Sequence, residues 1–383
     1  MEKQKGEALF AQTILDSLDI IMAVLDTDGK IVAVNKAWRH VAQESCSPVQ
    51  LKRTGVGVNY LQVCREARGV SADFAAEALI GIESILHGTQ LSFTMEYPCF
   101  SPTRQNWYQM NVTPLAQHKG AVVAHIDITE RKHLELRFQM QVDKAARIQL
   151  QLLPEKVPQV DALDVYSLCR QVEQVGGDFY DFFSCRGHTF AFAIGDVSGK
   201  GLSAALLMTM IHTTIHAVVR QTPLSDPEAV LVHMSENLYD DLSRAGMFAT
   251  IFVGCYNADT GKFVYANAGH SPIIYCPSGG SAVLLEADIP GLGIFPLNAC
   301  RNAYIPLNDH DVLVAGTDGL SESFNARGEM FGYERLLKTV EAHAHLSAEQ
   351  IAAELLKAIA QFTHGYKQSD DQTLVILKRM VKR

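Results

Sequence analysis

The sequence predicts an α+β protein of two domains joined by a helix, and three observations carry that expectation. The chain has 383 residues, more than one ordinary hydrophobic core sustains. Short strand-like apolar runs alternate with helical stretches in both halves of the chain. Between them, residues 129–152 contain neither Gly nor Pro and are rich in helix formers.

In the first domain, residues 20–25 and 31–34 read as strands around Asp26-Thr27-Asp28-Gly29, whose Asp-Gly pair is a hairpin signal because Gly accepts positive φ without steric cost. A helical middle at 71–87 follows, then strand-like runs at 91–97, 107–112 and 120–126. Two strands, helices and three further strands make a small domain over residues 9–128 with a five-stranded antiparallel sheet.

In the connecting helix, Leu134, Phe138, Gln141, Ala145, Ile148 and Leu152 are spaced 4, 3, 4, 3 and 4 apart. That heptad-like stripe suits either a two-stranded coiled coil, making the protein a homodimer, or a single amphipathic helix docked on its own chain. Pro154 and Pro158 end the helix, so the linker is 129–153 and the second domain 154–383. There, strands are expected at 189–194, 248–256, 262–266, 273–276, 312–315 and 373–377, and helices at 202–220, 226–242 and 348–363.

Composition removes several functional classes. With 48% hydrophobic and 20% charged residues the chain is that of a folded protein. A formal net charge of -9 speaks against a general nucleic-acid binder. The most apolar stretch, 202–219, is interrupted by Ser203, Thr209, His212, Thr213, Thr214 and His216, so it reads as a buried helix and no membrane span is expected. The N-terminus shows no signal-peptide pattern. The 8 cysteines are scattered without a C-x-x-C pair, which fits reduced thiols and a cytoplasmic protein.

The chemistry lies in acidic residues at strand ends. Asp178 and Asp181 lie in VGGDFYDFF, Asp196 in FAIGDVSGKG, Asp318 in VLVAGTDGL, and Asp370 and Asp371 in SDDQTLVIL. A single Asp-Gly is usually only a turn; four such sites in one domain place hard oxygen donors on rigid edges. Carboxylates without neighbouring Cys or His favour Mg²⁺ or Mn²⁺ over zinc. A pair of such ions acidifies a water and orients it for attack on phosphorus.

The ordered set GGDFYD, GDVSGKG, FATIFVG, NAGHSP, GTDGLSE and DDQTLV resembles the bacterial branch of the protein phosphatase 2C (PPM) superfamily, of the SpoIIE and RsbU type. The preceding AARIQLQLLP is similar to the segment that opens that domain. The resemblance covers residues 140–380 and implies an α/β/β/α sandwich holding two metal ions at one edge. Carried over by motif position, Asp196 bridges both ions and the Val197 carbonyl binds one. Asp318 and Asp370 complete the other site, and Asp178 acts largely through water. Asp371 is a weaker candidate, and Asp181 and His270 read as structural. Lys200 and Arg170 are the candidates for holding substrate phosphate. The implied activity is metal-dependent dephosphorylation of phosphoserine or phosphothreonine in a partner protein, by resemblance an anti-sigma antagonist of the STAS type.

The first domain resembles a PAS sensory domain, on ILDSLDIIMAVLDTDGKIVAVNKAW and the closing HIDITERK. Flavin-binding photoactive relatives carry a reactive cysteine where GVNYLQVC has Tyr60, so adduct chemistry is not expected; Cys64 reads as a core thiol. The ligand of this domain is not readable. VGGDFYD also has a superficial likeness to the signature of diguanylate cyclases, but Phe179 stands where those enzymes need a second acid. The competing class is a phosphatase-like domain that only binds a partner; loss of a ligand residue would signal it, and Asp178, Asp196, Asp318 and Asp370 are all present.

Overall fold

The structure, a computed structural model, describes residues 2–45, 55–68, 72–100, 105–115, 119–184, 189–297 and 300–381. Cys46, Ser71 and Cys185 lie outside them. The chain divides into two compact units, Met1–Gln139 and Met140–Arg383.

The first unit contains helix α1 (Glu2–Asp16), strands β1 (Ile21–Leu25) and β2 (Ile31–Val34), helices α2 (Lys36–Ser45), α3 (Tyr60–Arg65) and α4 (Ala72–Leu86), and strands β3 (Phe93–Phe100), β4 (Gln105–Pro114) and β5 (Ala121–Asp127). The strands form an antiparallel sheet in the order β2-β1-β5-β4-β3. Between β1 and β2 the Asp26 carboxylate accepts the N–H groups of Asp28 and Lys30, and Gly29 takes φ 76. Leu25, Ile31, Ile82, Val112 and Val123 fill the core. Also inside are Tyr60, Tyr97 and His125: the Tyr97 hydroxyl lies 2.7 Å from His125 Nδ1 and the Tyr60 hydroxyl 3.4 Å from Nε2. Burial lowers His125 to about 4 and raises the Cys64 thiol to about 11, so that thiol is a poor nucleophile.

Helix α5 (Thr129–Leu150) runs from one unit into the other. At its start, Thr129 N–H donates to Asp127, and Lys132 and Arg131 pair with Glu96. Near its end, Ala146 and Gln149 are buried, whereas Leu134, Phe138 and Ile148 of the heptad-like stripe are 55%, 65% and 57% exposed. The helix thus docks through Val142, Ala145, Ala146 and Gln149, a face that takes in only one end of the stripe.

The second unit contains β6 (Leu163–Arg170), β7 (Phe179–Ser184), β8 (Thr189–Val197), α6 (Gly201–Val218), α7 (Pro227–Ala245), β9 (Ala249–Asn257), β10 (Lys262–Ala268), β11 (Ile273–Cys276), β12 (Val283–Leu285), β13 (Ala303–Pro306), β14 (Val312–Gly316), α8 (Asp318–Ser321), α9 (Gly332–His343), α10 (Ala348–Thr363) and β15 (Gln372–Arg379). Two five-stranded antiparallel sheets, β13-β10-β9-β8-β7 and β12-β11-β14-β15-β6, face each other. Strand alternation sends Phe192, Phe252, Phe263, Leu313 and Val375 into the layer between them. The other face of the first sheet packs on α6 and α7 through Phe179, Ala193, Met208 and Leu238, and that of the second on α9 and α10 through Val314, Leu336, Ile351 and Ile376. The result is four layers, α/β/β/α.

Helix α6 is long and apolar enough, by composition, to cross a membrane. Here it is a core helix: Ala204, Met208, Ile211 and Ile215 are fully buried in the sandwich. Helix α10 carries a complete capping box between Ser347 and Gln350. No disulfide joins the cysteines among the described residues.

Candidate active site

Both sheets deliver acidic residues to the same end of the sandwich. On the first sheet, Phe179 pairs with Gly195, which sets Asp178, just before β7, opposite Asp196 near the end of β8. On the second, β14 and β15 pair antiparallel, so Asp318 follows one strand where Asp370 and Asp371 precede its neighbour. The two halves are stitched together by Thr317, whose hydroxyl donates to Asp178 Oδ2 at 2.8 Å while accepting Thr373 N–H at 3.0 Å.

The charges of these groups act on one another. Burial, then the Asp196 charge, pushes the carboxyl of Asp178 well above the ordinary range. Burial, then Asp318, with smaller contributions from Asp370 and Asp371, raises Asp196 to about 7. Asp318 is raised by burial, then by Glu322 and Asp370. Asp371 is raised by burial, but Val172 N–H donates to its Oδ1 at 2.8 Å, which favours the ionised form. Its carboxylate braces the segment before Asp178, a supporting position that fits its weaker standing in the sequence.

Such a cluster needs positive charge. The Lys200 ammonium supplies some, 2.9 Å from Asp370 Oδ2 and 2.5 Å from the Ser369 carbonyl. One half-exposed lysine does not balance this many carboxylates, and divalent cations with hard oxygen donors are the natural complement. The backbone makes room for them. A Cβ on Gly177 would lie 2.7 Å from the Val197 carbonyl oxygen and 3.2 Å from Asp196 Oδ1, closing the space those donors share. A Cβ on Gly319 would meet the Asp371 carbonyl at 1.9 Å. The residues present therefore fit a divalent metal site.

Other sequence candidates fall around this cluster in different ways. Arg170 ends β6, is exposed, and among the described residues makes no side-chain bond to the carboxylates. His270 is buried with its Nδ1 3.0 Å from the Thr250 hydroxyl, and its backbone is held on both sides by Asn267. Burial lowers it to about 3, so it is a neutral framework residue. Asp181 lies apart from the cluster, on the α6 face of β7 beside His212 and His216.

Three participants were not anticipated. Glu322 acts on Asp318 one helical turn away, and Thr317 bridges the sheets. Gln149 of α5 binds both backbone groups of Gly176, donating to its carbonyl at 2.7 Å and accepting its N–H at 3.1 Å. The motif segment before Asp178 is thereby hung on the incoming helix.

A four-layer sandwich with carboxylates gathered at one end of both sheets defines a phosphatase domain of the PP2C type. The sequence profile of the family described as Stage II sporulation protein E (SpoIIE) matches residues 186–380, and the chain belongs to that family. It is a protein serine/threonine phosphatase, and phosphatases of this class use divalent metals. Over 265 residues it is 31% identical to the phosphoserine phosphatase RsbU of Bacillus subtilis (strain 168), covering 68% of this chain and 77% of that protein. It is 22% identical over 248 residues to the phosphoserine phosphatase RsbP of the same organism, spanning 59% of its length. Among solved structures, the SiaA-PP2C domain of Pseudomonas aeruginosa superposes with a TM-score of 0.58 at 20% identity, covering 64% of this chain and 98% of that domain, a likeness of fold.

Proposed function

We propose that Asp178, Asp196, Asp318 and Asp370, with the Val197 carbonyl, hold two divalent cations, Mn²⁺ or Mg²⁺, and that the site removes phosphate from a phosphoserine or phosphothreonine protein. The observation that carries the reading is the delivery of Asp178, Asp196, Asp318 and Asp370 to one end of both sheets, where burial and neighbouring acids raise the first three, a strain that bound cations would relieve. Bound ions would supply acidification of an attacking water and neutralisation of the phosphoryl charge. The chain's own groups do the rest. Thr317 fixes the Asp178 carboxylate, Gly177 keeps the Val197 carbonyl accessible, and Asp370 holds the Lys200 ammonium at the rim, where it meets an incoming phosphate. Arg170 is a second, more distant candidate for that contact. None of the acidic motifs contains a Ser or Cys placed as a nucleophile among these residues, which favours direct displacement by water without a phosphoenzyme.

The RsbU and RsbP likeness favours, as substrate, a STAS-type anti-sigma antagonist in a partner-switching system of the cytoplasm. We assign residues 9–128 to a PAS sensor, on the five-stranded antiparallel sheet with helices between β2 and β3. Residues 129–153 are then the signalling linker and 154–383 the phosphatase domain. The exposed Leu134, Phe138 and Ile148 support pairing of two linkers in a homodimer.

The test assays the full-length protein on p-nitrophenyl phosphate and on a phosphoserine-bearing STAS protein with Mn²⁺, Mg²⁺ or EDTA. Metal-dependent phosphate release, lost in Asp318→Asn, is expected. Equal release in EDTA, or an Asp318→Asn variant as active as wild type, overturns the metal assignment. Turnover of p-nitrophenyl phosphate alone leaves the phosphatase and removes the STAS substrate.

A further inference from the structure

We propose that Asp181, His212 and His216 form a metal site of their own, distinct from the carboxylate cluster and suited to a transition-metal dication such as Zn²⁺. Asp181 lies on β7 between Phe179 and Phe183, and strand alternation turns all three toward α6. His212 and His216 are one turn apart on α6, on the face that meets β7. Asp181 Oδ2 is 2.5 Å from His216 Nε2 and 3.0 Å from His212 Nε2, and the three donor atoms all lie within 4.8 Å of one another. Bonds of ~2.0–2.1 Å to a tetrahedral ion set ligand atoms about 3.3 Å apart, so small side-chain rotations suffice.

The surroundings favour an ion over a plain hydrogen-bond network. His212 is only 7% exposed, and its Nε2 faces Asp181 Oδ2 at 3.0 Å without the angular geometry of a hydrogen bond. A buried polar nitrogen of that kind needs a partner. Asp181 Oδ1 is taken by the Phe182 N–H at 2.7 Å, which fixes the carboxylate with Oδ2 toward the imidazoles. The rings of His212 and His216 are 4.7 Å apart and tilted by 50°, converging rather than stacking. Phe183 packs edgewise on His216 and shields one side. The His216 side chain remains 41% exposed and opens a route for an ion and a completing water.

Two imidazoles and one carboxylate are borderline donors that suit zinc and its neighbours, whereas the all-oxygen cluster suits Mg²⁺ or Mn²⁺. One chain thus offers two sites of opposite preference. An ion held here clamps α6 to β7. Both elements begin beside the carboxylate cluster: β7 directly after Asp178, and α6 four residues after Val197.

The experiment titrates Co²⁺, as a visible probe, into the full-length wild-type, His216→Ala and Asp318→Asn proteins, followed by calorimetric titration of Zn²⁺. Wild type is expected to develop an intense low-symmetry visible band saturating near one equivalent, displaced by Zn²⁺ and untouched by Mg²⁺. Asp318→Asn should keep the band. His216→Ala should lose it, with Zn²⁺ affinity falling more than about tenfold, since even residues that merely support a ligand cost that much. If His216→Ala does not fold by circular dichroism, His216→Gln, which keeps a hydrogen-bonding amide beside Asp181, is read in its place. No band in wild type, a band lost in Asp318→Asn but kept in the His216 variant, or unchanged Zn²⁺ stoichiometry and affinity in that variant overturns the proposal.

Discussion

Replacing Asp196 by Asn should inactivate the phosphatase and at the same time stabilise its metal-free form. The Asp196 carboxyl is raised from 3.8 to about 7 by burial and by its acidic neighbours. Its ionised form is therefore penalised in the fold relative to the unfolded chain. The penalty is absent below about pH 4, grows as the pH rises through the folded value, and is complete above it. At about 1.4 kcal/mol for each tenfold change in proton affinity, the full cost is on the order of 4 kcal/mol, and less than half of that at pH 5. An Asn side chain never ionises and escapes this cost. For a domain of this size, about 1 kcal/mol moves the melting temperature by roughly 2–4 °C. Sharing of the strain with Asp178 and Asp318 reduces the gain, so a rise of at least about 5 °C is expected at pH 8 in EDTA, shrinking at pH 5. Saturating Mn²⁺ should remove most of that advantage, since a ligand at a hundred times its Kd adds about 2.7 kcal/mol to wild type alone. Thermal melts of both proteins at the two pH values, with EDTA or Mn²⁺, decide it. A variant melting at or below wild type in EDTA at pH 8, or gaining as much from Mn²⁺, would show that the Asp196 charge is neither strained in the fold nor a metal ligand.

Gly319→Ala drives a Cβ to 1.9 Å from the Asp371 carbonyl and should cost more than about 3 kcal/mol in urea unfolding, a backbone clash that no flexible side chain relieves. Lys200→Met should change stability by less than about 1 kcal/mol, because its pair with Asp370 is half-exposed. Its effect should fall instead on KM for the phosphoprotein, measured by steady-state phosphate release. If two linkers pair as proposed, wild type sediments as a dimer, and Phe138→Asp, which places a charge in the exposed stripe of α5, should sediment as a monomer with an unchanged circular dichroism spectrum.

The acidic strand ends were legible because each sets an Asp against an apolar run, most of them beside Gly, a local signal that needs no partner. The strands bearing them follow the apolar pattern closely: β11 occupies the expected residues, while β8 runs on three residues further, to Val197. Strand β6 was missed because it is an edge strand whose residues, Leu163 to Cys169, are all only half-buried, with Asp164 and Ser167 breaking the apolar run. Helix α9 anchors itself by Leu336 and Val340, too thin a stripe to stand out from its charged neighbours. The partnerships of Thr317 with Asp178 and of Gln149 with Gly176 were invisible for a different reason. Each joins side chains or backbone brought together only by the closing of the sandwich, and nothing in a linear pattern pairs them. Asp181 was read as a structural residue within its motif; only the placement of α6 reveals the two imidazoles it faces.

The grip of Gln149 on Gly176 has a mechanical consequence. One primary amide satisfies both the carbonyl and the N–H of a single residue, so the two bonds share one set of torsions and fail together. Successive residues of an α-helix are set about 100° apart around its axis. A roll of α5 by even half that angle carries the amide out of reach of both groups. Released, Gly176 would loosen the two-residue step to Asp178, which would then rest on Thr317 and on the pairing of Phe179 with Gly195. The amide of Gln149 is thus one of the ties on that corner of the acidic cluster, and a change in the seating of α5 would reach Asp178 through it.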